Sequence, residues 1–382
     1  TELRTQRINE VVEALRTDQD NLFDLGERIR AAEDVLVRTQ IRAQLDGRVV
    51  GLKVHTPGGV VGPGEALMDI VPSDVRLIVE GKIDPGDIEI IDPVDLNIAD
   101  IQSSGPVGNS NIRLARAPFE GFTEKGEFGQ LPRISSSGRK PSEVYTRPYQ
   151  QQDARDAPVR IAIMITGVGI SSSGTREAIE RLPGEVTLAF APYGDGLQTW
   201  VNRARANGHE VMLQIPMEPF DYPDNDPGPH TLLTDSRTSE NINRLNWLLS
   251  RFGGYFGITN YMGARFTADD KALTPVMAEL ASRGLSYVDD GGSPRSRAIP
   301  VAIAEDIDAK RADIIIDAGQ SRESIEAALR RLETIAKERG SAVGVGTALP
   351  ITVKTISEWA KSLRSRGIAL APVSALLNPA EG

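Results

Sequence analysis

Residues 158–190 read PVRIAIMITGVGISSSGTREAIERLPGEVTLAF, and this phrase sets the grammar of the larger half of the chain. A run rich in β-branched residues (Ile161–Thr166) gives way to glycines and serines, then to a helical pattern over Gly174–Leu182, then to a second apolar run from Val186. A strand that is apolar on both faces, followed by a helix and another such strand, is the unit of a parallel sheet with helices outside it. Outward from this phrase the unit recurs. Candidate strands begin near Ile161, Val186, Glu210, Phe256, Ser286, Asp313, Ala342 and Ala369, at spacings of 25, 24, 46, 30, 27, 29 and 27 residues. Helical patterns lie between them at Leu197–Ala206, Ser239–Arg251, Ala268–Arg283, Glu323–Arg339 and Ile356–Arg366. Seven or eight such units over residues 158–378 predict an α/β fold, a (β/α)7-8 barrel, complete or deformed. A doubly wound open sheet is the second choice.

The irregular spacing of 46 holds PMEPFDYPDNDPGPH, Pro216–His230, a proline- and acid-rich loop after the third strand. Parallel β/α folds build their sites at the carboxyl ends of strands, and long irregular loops there are usually functional. The strand ends carry Thr166-Gly167, Gln214 and Glu218, Asn260-Tyr261, Asp289-Asp290, Asp317 and Gly346-Thr347. Each could instead cap a helix, but the set should converge on one pocket. Val168–Gly174 follows a strand and opens a helix, yet lacks both a phosphate-loop glycine spacing and a Walker lysine. Ser173 as a helix cap explains it better. No Gly-x-Ser-x-Gly elbow is present.

Upstream the chain changes character. Over residues 1–40, apolar residues at Ile8, Val11, Leu15, Leu22, Leu25, Ile29, Ala32 and Leu36 form an a/d seam interrupted at Asp18, which predicts a coiled-coil helix with a possible coiled-coil partner. Residues 41–100 have strand-and-turn grammar, with glycine–proline punctuation at 57–59 and 62–64. Between Asp69 and Asp100, nine acidic residues face only Arg76 and Lys82, a local charge of −7 within a formal total of −10. A solvated acidic face accounts for it. Residues 101–157 are rich in Gly, Ser, Pro and Gln and read as a linker, with 117–134 laid along the next domain.

Composition narrows the chemistry. The 382 residues hold no cysteine and only His55, His209 and His230, which excludes thiol nucleophiles, iron–sulfur clusters and a histidine-rich metal site. The acidic balance argues against nucleic acid as a partner. No run approaches the ~20 apolar residues of a membrane span. The segment TELRTQRINEVVEAL lacks the apolar core of a signal peptide.

Two resemblances follow from particular phrases. Ile41–Pro72 resembles the membrane-fusion adaptors of type I secretion systems, where a coiled coil runs into half of a lipoyl-like β-sandwich and then a β-barrel. The resemblance is partial, because the anchor, first lipoyl half and ascending helix are not in this sequence. Lys53, within Gly51-Leu52-Lys53-Val54, reads as a solvated strand lysine rather than a lipoyl attachment site. From Ala117, and more fully from Pro158 to Leu377, the chain resembles the divergent polysaccharide deacetylases. It does so through VTLAFAPY (186–193), GHEVMLQIPMEP (208–219), DYPDNDPGPHTL (221–232), YMGARFT (261–267) and APVSAL (371–376).

That family implies a deformed barrel, an envelope or periplasmic location and metal-assisted deacetylation, with Asp and His ligands and a carboxylate base. Where members commonly read Ile-Asp-Asp, this chain has Ile165-Thr166-Gly167. Where a His precedes the Pro-Met-Glu-Pro phrase, it has Gln214. Where Asn-His-Met-Gly is common it has Asn260-Tyr261-Met262-Gly263, and for Gly-His-Pro it has Gly346-Thr347-Ala348. The replacements are neutral and poor zinc ligands. The expectation is a non-catalytic barrel without cofactor, binding a glycan or a cell-envelope protein in a pocket of Thr166, Gly167, Gln214, Tyr261, Arg265 and Thr347. Tyr193, Trp200 and Tyr222 are candidates for sugar stacking, with core packing the favoured role for Trp200. The alternative keeps catalysis, through a divalent metal ion held by Glu218, Asp289 and Asp317. A further alternative assigns function to the adaptor-like segment.

Overall fold

Residue alternation along the first strand of the barrel decides which side chains meet where. The computed structural model describes residues 112–149 and 159–377, together with the backbone of 47–50 and 69–72. Gly47–Val50 (β1) and Asp69–Pro72 (β2) pair antiparallel, with Val49 opposite Ile70. The helix expected over 1–40 and the remainder of the lipoyl-like segment over 41–100 lie outside the described residues.

Val159–Val168 (β5) begins the barrel. Ile161, Ile163 and Ile165 face outward into a core shared with the helices, while Ala162 and Met164 face inward. The parallel partners are Thr187–Phe190 (β6), Val211–Met217 (β7), Gly257–Met262 (β8), Ser286–Asp289 (β9) and Ser341–Thr347 (β12). Two short strands, Ala309–Arg311 (β10) and Ile314–Ile315 (β11), complete the order β10-β9-β8-β7-β6-β5-β12-β11. These last two are consecutive in sequence yet sit at opposite ends of that order. The seam between them is bonded on both sides: the Ala312 amide donates to Asp289 O at 2.9 Å and the Asp313 amide to Val343 O at 2.8 Å. The sheet therefore closes into a ring of seven positions.

The eighth expected strand, Ile368–Ala371 (β13), adds no position to the ring. It pairs with β5 over Val159–Ala162, below the stretch where β6 pairs with Met164–Val168. The helices Ser172–Arg181 (α2), Leu197–Ala206 (α3), Thr238–Leu249 (α4), Asp270–Ser282 (α5) and Arg322–Arg339 (α7) lie outside, near the positions the sequence pattern marks, whereas Pro350–Ala360 (α8) replaces the helix expected over Ile356–Arg366 and starts earlier. Ala298–Ala304 (α6), apolar almost throughout, is an additional helix that the pattern did not mark. The cap of α2 is Ser171, whose side chain accepts from the Gly174 amide at 3.3 Å; Ser173, the expected cap, lies inside the helix.

The composition of 101–157 suggests a connector, but residues 112–149 form a cover belonging to the same unit as the barrel. It consists of a hairpin, Thr123–Lys125 (β3) with Gln130–Pro132 (β4), and the short helix Pro141–Val144 (α1). Arg205, buried on α3, fastens it. Its Nε donates to Ala115 O at 2.8 Å and its Nη1 to Tyr145 O at 2.9 Å. The same guanidinium lies over the Phe119 and Tyr145 rings. Phe122 and Tyr145 join Met164, Met212, Phe256, Val373 and Leu376 in the inner core. At the amino end, the buried Glu210 carboxylate accepts from Thr187 Oγ1, the Arg147 amide, and the amide and hydroxyl of Ser374. Four donors around one carboxylate offset much of the cost of burying it. His209 lies beside it with both ring nitrogens on carbonyl oxygens, Val186 at 2.8 Å and Ile179 at 3.1 Å, far from any strand's carboxyl end.

Candidate functional site

Continuing the alternation past the inner core predicts which residues floor the carboxyl end. After Met164 comes Thr166 on β5; after Met212 comes Gln214 on β7; Gly257 is followed by Thr259 and Tyr261 on β8; after Val345 comes Thr347 on β12. The register places Thr166 beside Thr347. Gln214 reaches past β6, its Oε1 accepting from the Gly167 amide at 2.6 Å. Thr166 Oγ1 donates to Gly346 O at 3.1 Å. Thr166, Gly167, Gln214 and Thr347 thus lie together at the carboxyl end of the sheet, and Tyr261 stands at the end of β8 opposite Pro216. Thr259 was not foreseen. It is fully buried in register with Gln214, and its hydroxyl has no hydrogen-bond partner among the described residues. Two-residue periodicity on β8 was the signal that could have found it.

The three carboxylates do not converge. Glu218, 3% exposed, accepts from Arg265 Nη1 at 2.8 Å and from both the amide and hydroxyl of Thr234. Its backbone carbonyl also receives the Arg265 and Phe266 amides, so it fixes the turn after β8. Asp289 falls in the outward phase of β9, since Tyr287 is outward and Val288 inward. Its oxygens accept from the Gly291 amide at 2.8 Å and from Ser296 Oγ, which shapes the loop after the strand. Asp317 accepts from the Thr347 amide at 2.7 Å, the Thr347 hydroxyl and Thr352 Oγ1 at 2.9 Å. All three bonds fall on Oδ2, so Asp317 orients a mouth residue through one of its two oxygens. Arg265 stands at the rim and bridges Glu218 to Asp235, 2.8 Å from each.

The metal centre implied by the family resemblance does not fit this donor set. The positions that would carry its imidazoles and leading acids hold amide, hydroxyl and phenol groups, and the carboxylates already serve protein donors. Among the described residues, no group of three His, Cys, Asp or Glu side chains is placed to hold a metal ion. What this end of the sheet carries is a set of neutral polar groups, of which Thr166, Gln214 and Thr259 are buried, Gly167 and Tyr261 half-buried and Thr347 exposed.

The rim is aromatic. Tyr193, after β6, and Phe220, after β7, are each about two-fifths exposed, and the Arg295 guanidinium lies 5.5 Å over the Phe220 ring. Burial pushes the Tyr193 phenol up to about 12, so it remains a neutral donor. Tyr193 packs so close to Gly228 that a Cβ there would come within 2.4 Å of its hydroxyl, at a φ of +141°. Only glycine fits the loop at that point. Trp200 is partly buried against the outer core, the packing role expected of it, and Tyr222 is half-buried on the long loop. A separate cavity of about 340 Å³ lies between the cover and the turn after α4, lined among others by Phe122, Tyr145, Phe252 and Tyr255.

A closed parallel barrel with its mouth built from strand ends defines the class, and comparison with known proteins gives the family. The model for "Divergent polysaccharide deacetylase" matches residues 163–377, more than half of the sequence, and the chain belongs to that family. YibQ, an uncharacterized protein of Escherichia coli K12, is 23% identical over 220 residues, covering 57% of this chain and 67% of YibQ. The crystal structure of uncharacterized protein ATU2773 from Agrobacterium tumefaciens C58 is 42% identical with a TM-score of 0.63, covering 65% of this chain and 99% of that one. The N-terminal similarity is to other proteins. The type I secretion system membrane fusion protein PrsE of Rhizobium meliloti is 39% identical over 90 residues, 24% of this chain. The chain spans 20% of the length of PrsE, so the adaptor likeness is partial. Among the described residues, no helix is long and apolar enough to cross a membrane.

Proposed function

We propose that the barrel recognises a glycan at its carboxyl mouth and does not carry out metal-dependent deacetylation. The observation that carries this reading is the commitment of Glu218, Asp289 and Asp317 to internal hydrogen bonds, around a floor of Thr166, Gly167, Gln214, Tyr261 and Thr347. Sugars present hydroxyls for such a floor and apolar faces for rim aromatics such as Tyr193 and Phe220. An envelope compartment accords with the family and with the partial likeness to a secretion adaptor.

The test is titration calorimetry with acetylated chitooligosaccharide and with peptidoglycan fragments, alongside acetate release assayed with added Zn²⁺, Mn²⁺, Mg²⁺ or Ca²⁺. The expected result is binding without turnover. Tyr261→Ala should weaken binding by roughly tenfold, or about 1.4 kcal/mol. Acetate release that a chelator abolishes would overturn the non-catalytic reading and restore the carboxylate alternative. Absence of binding to either glycan, with binding to an envelope protein instead, would move the mouth to a protein ligand.

A further inference from the structure

The long loop after β7 is pinned at two points of different chemistry. Its near end is held by Glu218 on Arg265 and Thr234. Its far end is held by His230, whose ring lies on Trp247 with centroids 3.6 Å apart and planes inclined by 2°. The Arg251 guanidinium is 4.6 Å from the centre of the same indole. Two groups at those distances would overlap on one face, so His230 and Arg251 occupy opposite faces.

Every element around the ring contributes to the clasp. From α4, Arg244 Nη1 donates to Thr231 O at 2.9 Å. From the turn after α4, Arg251 Nε donates to Pro192 O at 3.1 Å. From the loop after β6, the Tyr193 ring lies 6.2 Å from Trp247, and its phenol is bonded to the His230 backbone. From the long loop itself, Asp226 is exposed and its Oδ1 accepts from the Gly228 amide at 2.9 Å. Nδ1 of His230 is buried with no hydrogen-bond partner among the described residues.

We propose that His230 is an acid-released latch: protonating its ring frees the outer part of the loop, residues 219–230, from α4 and widens the carboxyl mouth while Glu218 holds the base. A neutral ring tolerates a bare Nδ1 as an unprotonated acceptor. A protonated ring must carry a hydrogen there, and a buried donor without an acceptor is expensive. The attraction of an imidazolium for an indole does not offset this, because Arg251 already supplies a cation to the opposite face and repels a second. The exposed Asp226 bonds the loop's own Gly228 amide through Oδ1, and the charges that act on the His230 ring are those of Arg244 and Arg251. Burial, then Arg244 and Arg251, hold the His230 pKa below its ordinary value. A depressed histidine stabilises the clasp above the ordinary histidine range, and that contribution is lost as pH falls through the depressed value. The latch depends on the stack and not on which ligand the mouth takes.

The experiment is an NMR titration of the full chain's histidine ring resonances, with hydrogen exchange of 219–232 read at each pH; the His230→Gln variant assigns the His230 signal. The expected ring resonance is shifted upfield by Trp247 at pH 8 and loses that shift with a midpoint below 6.5, while exchange of the loop rises at least tenfold across the same midpoint. Arg251→Gln should move the midpoint upward. A midpoint at or above 6.5, loop exchange that does not change across it, or the same pH dependence in His230→Gln would each overturn the latch. Exchange at Glu218 and Thr234 should stay unchanged and serves as the internal reference.

Discussion

Glu218 belongs to the phrase that most strongly marks the family, yet its carboxylate is turned to the protein's own use. It accepts from Arg265 and Thr234 in a buried setting, so removing the guanidinium leaves a charge short of a donor. Arg265→Ala should therefore destabilise the barrel by about 1–3 kcal/mol, short of the full cost of breaking a buried pair because Arg265 is partly exposed. Urea denaturation would read this as a lower midpoint at unchanged slope. The strand-end positions of Thr166, Gln214 and Thr347 were legible, because each closes or follows an apolar run. The occupation of the carboxylates was not. Nothing in the sequence around Asp289 says that Ser296, seven residues on, will take its second oxygen. Asp317 likewise meets Thr352 only because α8 docks against β12.

Among the elements, helix ends obey local chemistry closely enough to predict the size of an effect. Ser171 accepts from the Gly174 amide and begins α2 at the foot of the mouth. Ser171→Ala should cost about 1 kcal/mol, whereas Ser173→Ala, two residues on within the first turn, should cost only a few tenths. Thermal denaturation of the two variants would separate them. The run of three serines offered the cap to any of its members, and the choice was settled by where β5 ends rather than by serine chemistry. The same limit explains β10 and β13. Ala309–Arg311 is too short and too polar to stand out as a strand, and Ile368–Ala371 reads like any other barrel strand. Its place below β6 depends on the length of β5, whose ten residues leave room for two partners along one side.

For the whole molecule, the decisive boundary is the start of the cover. The family match begins at residue 163, but Arg205 has carbonyl partners at Ala115 and Tyr145, and Phe122 and Tyr145 sit in the inner core. A chain beginning at Val159 should therefore lose the burial of at least these two rings, at about 1.5–3 kcal/mol each. It should also leave the Arg205 guanidinium with Gly254 O as its one remaining carbonyl partner. Against a typical domain stability of about 5–15 kcal/mol, that loss is large. Residues 110–382 should melt cooperatively, whereas 159–382 should melt far lower or aggregate; differential scanning calorimetry would distinguish the two. The sequence placed 117–134 along the barrel, but the glycine- and serine-rich composition concealed the rest of the cover, whose few aromatics have no period of their own and are explained only by the inner core they meet.

The closure at Ala312 and Asp313 has a further consequence. Six strands of the ring are joined to their neighbours by paired runs of residues, but the circuit is completed where one short segment changes sides between two neighbouring amides. The barrel is a collar with a single clasp. Its circumference follows from the number and tilt of the strands. β10 holds to β9 and β11 to β12 by short paired runs of their own, so the circuit passes from one neighbour to the other within a single segment.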